Sequence, residues 1–477
     1  MPDRRTRVAP SPAAAPLAAS LAALRRELRL PEGFPPEVEA EAAAAAGRRP
    51  LPDTDLTAVP FLTIDPAGST DLDQALHLER TSHGYRVRYA IADVPAFVAP
   101  SGAVDAEARR RGQTLYAPDG RIPLHPDVIG DGAASLLPGV DRSAFVWDLR
   151  LDADGHETDA TVLRARIRSR RQWDYAEAQA AIDDGTAPDE LRLLREVGEA
   201  RIACERERGG ASLNAPEEEV VVHDGVYALE RRTVLPVESW NAQLSLLTGM
   251  AAARIMLDAR IGILRTMPAP DEAAMRAFRI QTVALGLPWR EGTPYGEYLR
   301  TLDADHPRAA AVLQAATALF RGAGYVAMDG EAPSDPVQSA IAAPYAHVTA
   351  PLRRLVDRWG LVICEALCAG AEVPGWARSS LADLPAIMGN SSRLASQVVA
   401  GALDRVEAAL LSSRIGSVVD ATVLAVRNGG VLVQLDDPAV TASAPRPDGV
   451  QPGDRVRLTV TAADIATGRV SFEPVTE

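Results

Sequence analysis

Apolar positions along this chain repeat at two spacings, and the change of spacing marks its parts. From Leu17 to Ala46 they recur every three or four residues on either side of "LPEGFPPE", which predicts two helices, the second rich in alanine. The stretch "GRRPLPDTDLTAVP" is polar and proline-punctuated and reads as a boundary. From "FLTID" the period falls to two: "QALHLER", "TSHG" and "YRVRYAIADV" read as strand, turn and strand. Helical spacing returns at about 103–112, 174–183, 187–208, 237–259, 271–286, 307–321, 352–369 and 390–412, with extended stretches such as "EEEVVVHDGVYAL" between them. Beyond residue 412, "GSVVDATVLAVRNGGVLVQLDD" and "GDRVRLTVTAADIATGRVSFEPV" alternate in short strands with glycine turns. Four or five strands in about 65 residues predict a small barrel of the OB type. The expected class is α+β: a helical segment over 1–58, a large mixed domain over 59–412 and an OB-fold barrel over 413–477.

Length and composition narrow the chemistry. At 477 residues the chain needs more than one core, and 47% hydrophobic with 24% charged residues is ordinary for a globular protein. No apolar run reaches a membrane span. The opening "RRTRVAPSPAAAPLAASLAALRREL" is broken by prolines and runs into Arg25 and Arg26, so a secretory leader is not expected and the cytoplasm is. A monomer is expected. Cys204, Cys364 and Cys368 form no disulfide framework; Cys364 and Cys368 share a helix face and read as core thiols. All 50 basic residues are arginine, which excludes a P-loop lysine, a Schiff-base lysine and a Ser–Lys dyad. Net charge is −14, yet arginines cluster at 107–112, 164–171, 230–233 and 351–358, so a local basic channel is compatible with the acidic whole. Such clusters are commonly solvated faces.

The densest chemistry is "TIDPAGSTDLDQALHL", residues 63–78. A strand delivers Asp65, a turn follows, and Asp71 and Asp73 share a face of extended chain. Crowded carboxylates repel, so one is protonated or a cation sits among them. Three oxygen donors suit Mg²⁺ or Mn²⁺. An EF-hand loop fails at Ala75 and Leu76, a phosphatase signature fails at Ala75, and Gly68-Ser69 lies too close to Asp71 for a nucleotidyltransferase.

"TIDPAGSTDLDQA" resembles T-I-D-x-x-x-x-x-D-x-D-D-A of the ribonuclease II family, the RNB exoribonucleases, except that Gln74 stands where the last Asp would be. Further stretches resemble that family in its order: "YAIADVPAFV", "ARRRGQTLYAPDGRIPLHPDVI", "ASLLPGVDRSAFVW", "ILRTMPAP" and "YAHVTAPLRRLVDR", together spanning about residues 59–412. The tail is similar to the S-one-type OB barrel that closes many members.

The resemblance implies processive 3′→5′ hydrolysis of single-stranded RNA to nucleoside 5′-monophosphates, with Mg²⁺ or Mn²⁺ as cofactor. It assigns Asp65, Asp71, Asp73 and Gln74 to the metal, and Asp73 and Arg353 to catalysis. RNA contacts fall to Tyr116, Tyr345, His347, Thr349, Arg353 and Arg354. For Arg354 an ion pair with Asp357 is the plainer reading, for Tyr116 a core position, and for His347 a structural role. The departures are concrete. No H-F-G-L precedes the Tyr345 motif, no catalytic glutamate is evident in 390–412, and "VESWNAQLSLLTG" matches the family helix only loosely at Glu238. The N-terminal segment is too short for paired cold-shock domains and reads as a reduced helix-turn-helix. Gln74 motivates one alternative, a catalytically impaired RNA-binding relative. The rival outside the family is another metal-dependent phosphoryl-transfer enzyme.

Overall fold

The computed structural model describes residues 5–7, 14–48, 51–211, 217–223, 226–232, 234–303, 306–427, 429–436 and 440–475. Its centre is a closed barrel of strands Phe61–Asp65, Gln74–Thr81, Gly84–Ala92, Asp141–Asp152 and Glu157–Asp174. Neighbours pair antiparallel until the last strand meets the first in parallel, with Ile64 opposite Trp173 and Asp65 opposite Asp174. Local patterning contains the strands but not this closure, which joins segments about a hundred residues apart.

Alternation along these strands feeds two separate cores. One face carries large side chains, among them Leu62, Ile64, Leu76, Tyr89, Ile91, Phe145 and Trp147, and packs on helices Pro236–Ala259 and Asp357–Cys368. The other carries mostly small ones, Ala75, Ala90, Ala92, Ala144 and Ala165, which let helices Pro36–Arg48 and Ala103–Arg111 approach closely. At Gly84, φ is +146° and an added Cβ would fall 2.3 Å from the Leu151 carbonyl oxygen, so only glycine fits where the turn crosses the neighbouring strand.

Five antiparallel strands, Val418–Arg427, Gly430–Leu435, Thr441–Ala444, Arg455–Asp464 and Arg469–Pro474, form the OB-type barrel at the C-terminal side. Its core is shared. Leu17, Leu21 and Leu24 of helix Ala14–Glu27 and Val406, Ala409 and Leu411 of helix Leu384–Ser412 pack into it. Ser20 Oγ donates to the Ile465 carbonyl (2.7 Å), and Arg405 reaches both Ser20 Oγ and Glu27 (each 3.0 Å). The helix expected from about 390 begins instead at Leu384, with Pro385 in its first turn, where proline's missing N–H costs nothing.

Leu21 is 2% exposed. Leu21→Ala is expected to cost about 2–5 kcal/mol, the range for deleting buried leucine methyls, read as a lower urea midpoint. Leu163→Ala, on a residue 43% exposed, should leave the midpoint unchanged.

Candidate active site

Strand Phe61–Asp65 ends on Asp65, and the turn through Gly68 (φ +81°) brings the chain back toward Gln74, the first residue of the next strand. Between the two later aspartates, Leu72 is fully buried in the alanine-rich core and its N–H donates to Ser135 Oγ (2.9 Å). That anchor turns Asp71 and Asp73 to the opposite side.

Each carboxylate has a different environment. Asp73 is buried; its Oδ1 accepts the Leu352 N–H (2.8 Å) and its Oδ2 lies 3.6 Å from Arg353 Nε. Burial pushes its carboxyl well above the usual range, against the pull of Arg353. Asp65 is pushed up to about 7 by burial and by the charge of Asp71, with Arg353 opposing. Its Oδ2 is buried without a hydrogen-bond partner. Asp71 is held by Arg121, Nη1 to Oδ2 at 2.8 Å, and Arg121 also pairs with Asp131. An unsatisfied carboxylate oxygen beside a second carboxylate is a cradle for a cation, and the all-oxygen donor set fits Mg²⁺ or Mn²⁺. With arginines on Asp71 and Asp73, the three carboxylates do not draw together: the group of ligand atoms lying within 4.8 Å of one another, among the described residues, is elsewhere, at His156, Cys204 and Glu207.

Gln74 is engaged at both ends of its amide. Nε2 donates to the Thr349 carbonyl (2.5 Å) and Oε1 accepts from Tyr89 OH (2.9 Å), itself 3.0 Å from Ser245 Oγ. Gln74 therefore ties the barrel to the loop bearing Arg353.

That loop differs from the sequence expectation. The helix starts at Asp357, not near 352, so Arg353 and Arg354 lie in the turns before it. Asp357, fully buried, accepts from the Ala350 N–H (2.7 Å) and from Arg354 Nε and Nη2 (each 2.8 Å). Arg354 is thus an internal brace, whereas the Arg353 side chain is 44% exposed. The Arg353 carbonyl accepts the Thr114 N–H (2.9 Å), which stitches the loop to the hairpin Leu115–Ile122. Tyr116, half exposed, pairs with Arg121 across that hairpin, so its ring stands at the same mouth as Asp71 and Arg353.

The structure therefore sets Asp65, Asp71, Asp73, Tyr116 and Arg353 around one mouth without closing the carboxylates on a common point, and Gln74, expected at the metal, spends both ends of its amide on Thr349 and Tyr89 instead. Tyr345 and Thr349 are buried. Tyr345 presses on helix Pro236–Ala259, where a Cβ at Gly249 would lie 2.1 Å from its ring. His347 stands edge-on to Tyr345 (5.4 Å) and its Nδ1 meets Tyr325 OH at 2.7 Å. Burial, with Arg354 and Arg265 nearby, holds His347 well below its ordinary pKa and so neutral. Arg265 covers the Tyr325 ring (4.7 Å), and the two line a cleft with Ser392, Arg393, Ser396 and Gln397 of helix Leu384–Ser412. No carboxylate of that helix lines this cleft; Asp404 and Glu407 lie in its later half, Asp404 against Gly468. Glu238 accepts the Leu235 N–H (2.9 Å), capping its helix.

Sequence reasoning missed Arg121, Tyr89 and Tyr325. For Arg121 the sequence signal was misleading: Asp119-Gly120 in "LYAPDGRI" suggests a turn that would set residue 121 opposite Pro118, whereas the chain turns at Pro118-Asp119, pairs Ala117 with Gly120 and so puts Arg121 opposite Tyr116.

The raised Asp65 pKa has a sign that can be measured. From an ordinary 3.8 to about 7, the folded protein retains a proton that the unfolded chain releases. This stabilisation is present below that window, is lost as pH rises through it, and is flat above. Metal-free protein is expected to melt at a lower temperature at pH 8 than at pH 5, and Asp65→Asn should reduce the difference, the raised Asp73 carboxyl contributing to what remains. An unchanged slope would place the cause elsewhere.

Comparison with known proteins agrees with this geometry. A family model described as the RNB domain matches residues 53–363, and one described as the RNase II-type exonuclease C-terminal S1 domain matches residues 417–475. Ribonuclease R of Acidithiobacillus ferrooxidans is 35% identical over 202 residues, covering 39% of this chain and 45% of the relative. Ribonuclease R of Escherichia coli (strain K12) is 29% identical over 343 residues, 68% of this chain and 40% of the relative. The chain thus spans less than half the length of these curated relatives. Among solved structures, the apo form of Mycoplasma genitalium RNase R superposes with a TM-score of 0.84 at 18% identity, covering 96% of this chain and 78% of that one. Yeast Ssd1, described as a pseudonuclease, gives 0.71 at 16%, covering 90% and 55%. With the RNB model spanning well over half of its residues, this chain belongs to the RNB-domain family and carries the RNase II-type S1 domain after it.

Proposed function

We propose that the chain is a divalent-metal-dependent exoribonuclease that shortens single-stranded RNA from its 3′ end and releases nucleoside 5′-monophosphates. The observation that carries this reading is the buried, unpartnered Asp65 oxygen beside Asp71, with the half-exposed Arg353 at Asp73 on the same mouth. Related proteins named Ribonuclease R, and the structures of one such protein with single-stranded and double-stranded RNA, support RNA as the substrate class.

Mg²⁺ or Mn²⁺ held by Asp65, Asp71 and Asp73 would supply phosphate polarisation and an activated water. Arg353 is aimed by Asp73 and exposed enough to meet the charge that develops on the scissile phosphate. The Tyr116 ring offers a face on which a base stacks whatever its sequence. Gln74 orders the Arg353 loop through Thr349 while adding no charge to the carboxylates. A second reading, an RNA-binding relative with impaired catalysis, is favoured by one feature. Arg121 occupies Asp71 while glutamine stands at 74, so the site holds less negative charge than three free carboxylates would.

Incubation of the protein with a 3′-tailed, end-labelled oligoribonucleotide and Mg²⁺ or Mn²⁺ separates the two. Release of mononucleotides is expected; binding without release would favour the impaired relative. Asp73→Asn should abolish release and leave RNA affinity intact. Arg353→Ala should slow release by about 10²–10³, the loss typical of one donor to a developing charge. Arg354→Ala should act differently, lowering stability by about 3–5 kcal/mol because it leaves the buried charge of Asp357 without its partner.

Charge balance gives a further expectation. Arg121→Gln and Gln74→Asp each make the site more negative, so each should tighten Mn²⁺ binding in calorimetry. Weaker binding by Arg121→Gln would show instead that Arg121 positions Asp71 for the metal.

A further inference from the structure

The turn between strands Asp141–Asp152 and Glu157–Asp174 lies at the other end of the barrel strand from Asp174 and its partner Asp65. It packs on the last turns of helix Asp189–Arg208. Gly155 (φ +88°) makes this possible, since a Cβ there would sit 2.8 Å from the Ala200 Cβ. Two further contacts fix the turn: Arg201 Nη1 donates to the Gly155 carbonyl (2.8 Å) and the Cys204 thiol to the Asp154 carbonyl (3.5 Å). At this junction an imidazole nitrogen of His156, the Cys204 sulfur and a Glu207 oxygen all lie within 4.8 Å of one another. His156 Nε2 is 3.2 Å from Glu207 Oε2.

We propose that His156, Cys204 and Glu207 form a zinc-class metal site, with solvent as the fourth ligand, that fastens the barrel turn to the helix. Four features support it. Mixed nitrogen, sulfur and oxygen donors suit Zn²⁺ or Co²⁺ rather than Mg²⁺. Cys204 and Glu207, three residues apart, share one helix face. Asp152 lies 3.5 Å from His156 Nδ1 and accepts the backbone N–H groups of Asp154 and His156 (3.0 and 2.8 Å). Without a metal Nε2 donates to Glu207; when a metal takes Nε2, the ring proton sits on Nδ1, where the Asp152 carboxylate is placed to receive it. Finally, the site sits at a helix C-terminus, where the exposed carbonyls favour a cation.

The sulfur lies at the base, in a residue 2% exposed, and the His156 and Glu207 side chains are 51% and 65% exposed, so an ion has a route in. On binding, the thiol gives its proton to solvent and the thiolate pair forms the metal–sulfur bond; nothing is oxidised. Burial raises the thiol pKa and Glu207 and Asp152 add to this, while Arg201 and Arg208 pull the other way, so it is the metal that would hold the thiolate. The site does not depend on the RNA-hydrolysis reading.

The test uses the full chain, stripped with a chelator and titrated with Co²⁺. A sulfur-to-cobalt charge-transfer band in the near ultraviolet is expected, displaced by stoichiometric Zn²⁺, with Zn²⁺ raising the melting temperature. Cys204→Ser should remove the band. The surface variants His156→Asn and Glu207→Gln should weaken Co²⁺ binding by at least about tenfold, and they stay informative if Cys204→Ser does not fold. Asp73→Asn should leave the band intact, which separates this site from the catalytic carboxylates. Absence of the band in the unmodified protein, its survival in Cys204→Ser, or undiminished affinity in His156→Asn would each overturn the proposal.

Discussion

The candidate active site depends on one buried carboxylate, Asp357. It is fully enclosed, and it gathers the Ala350 N–H and both ends of the Arg354 fork. Ionised groups survive in such a place only when partners replace the lost water, and here three donors do so. The consequence is a loop of fixed shape. Thr349 then presents its carbonyl to Gln74, Leu352 its N–H to Asp73, and Arg353 its carbonyl to Thr114. Three parts of the chain thus converge on a frame set by a residue that does not itself face the mouth of the site.

The barrel supplies the other half of that frame. Large side chains on one face and alanines on the other allow two layers of helices at different depths, so the strand ends carrying Asp65 and Asp73 are held from both sides. Asp65 is consequently desolvated, and with Asp71 beside it the carboxyl is pushed up to about 7.

Much of this was legible in the sequence, for reasons that differ by residue. Asp65, Asp71 and Asp73 stood out because alternation in "FLTID" and "DLD" fixes their faces locally. The five C-terminal strands were visible through their glycine turns. The parallel pairing of Ile64 with Trp173 was not, since no local pattern specifies a partner so far along the chain. Nor was the start of the helix at Asp357: "PLRRLVDR" has helical spacing, but tertiary bonds from Asp357, Asp73, Thr114 and Gly112 hold residues 350–356 in turns. Tyr325 was missed because its contact with His347 joins two segments that look unrelated in sequence.

The packing of helix Ala14–Glu27 into the C-terminal barrel has a consequence for synthesis. The bond from Ser20 to Ile465 spans 445 residues. During translation the helix emerges long before the strands that cover Leu17, Leu21 and Leu24, so that apolar stripe stays uncovered while the central barrel is already closing. Such a late, non-local contact slows completion of the fold and leaves a nascent chain exposed to premature association. Slower ribosome passage through residues 413–477, or shortage of a holding chaperone, should therefore injure this protein more than one whose ends fold apart.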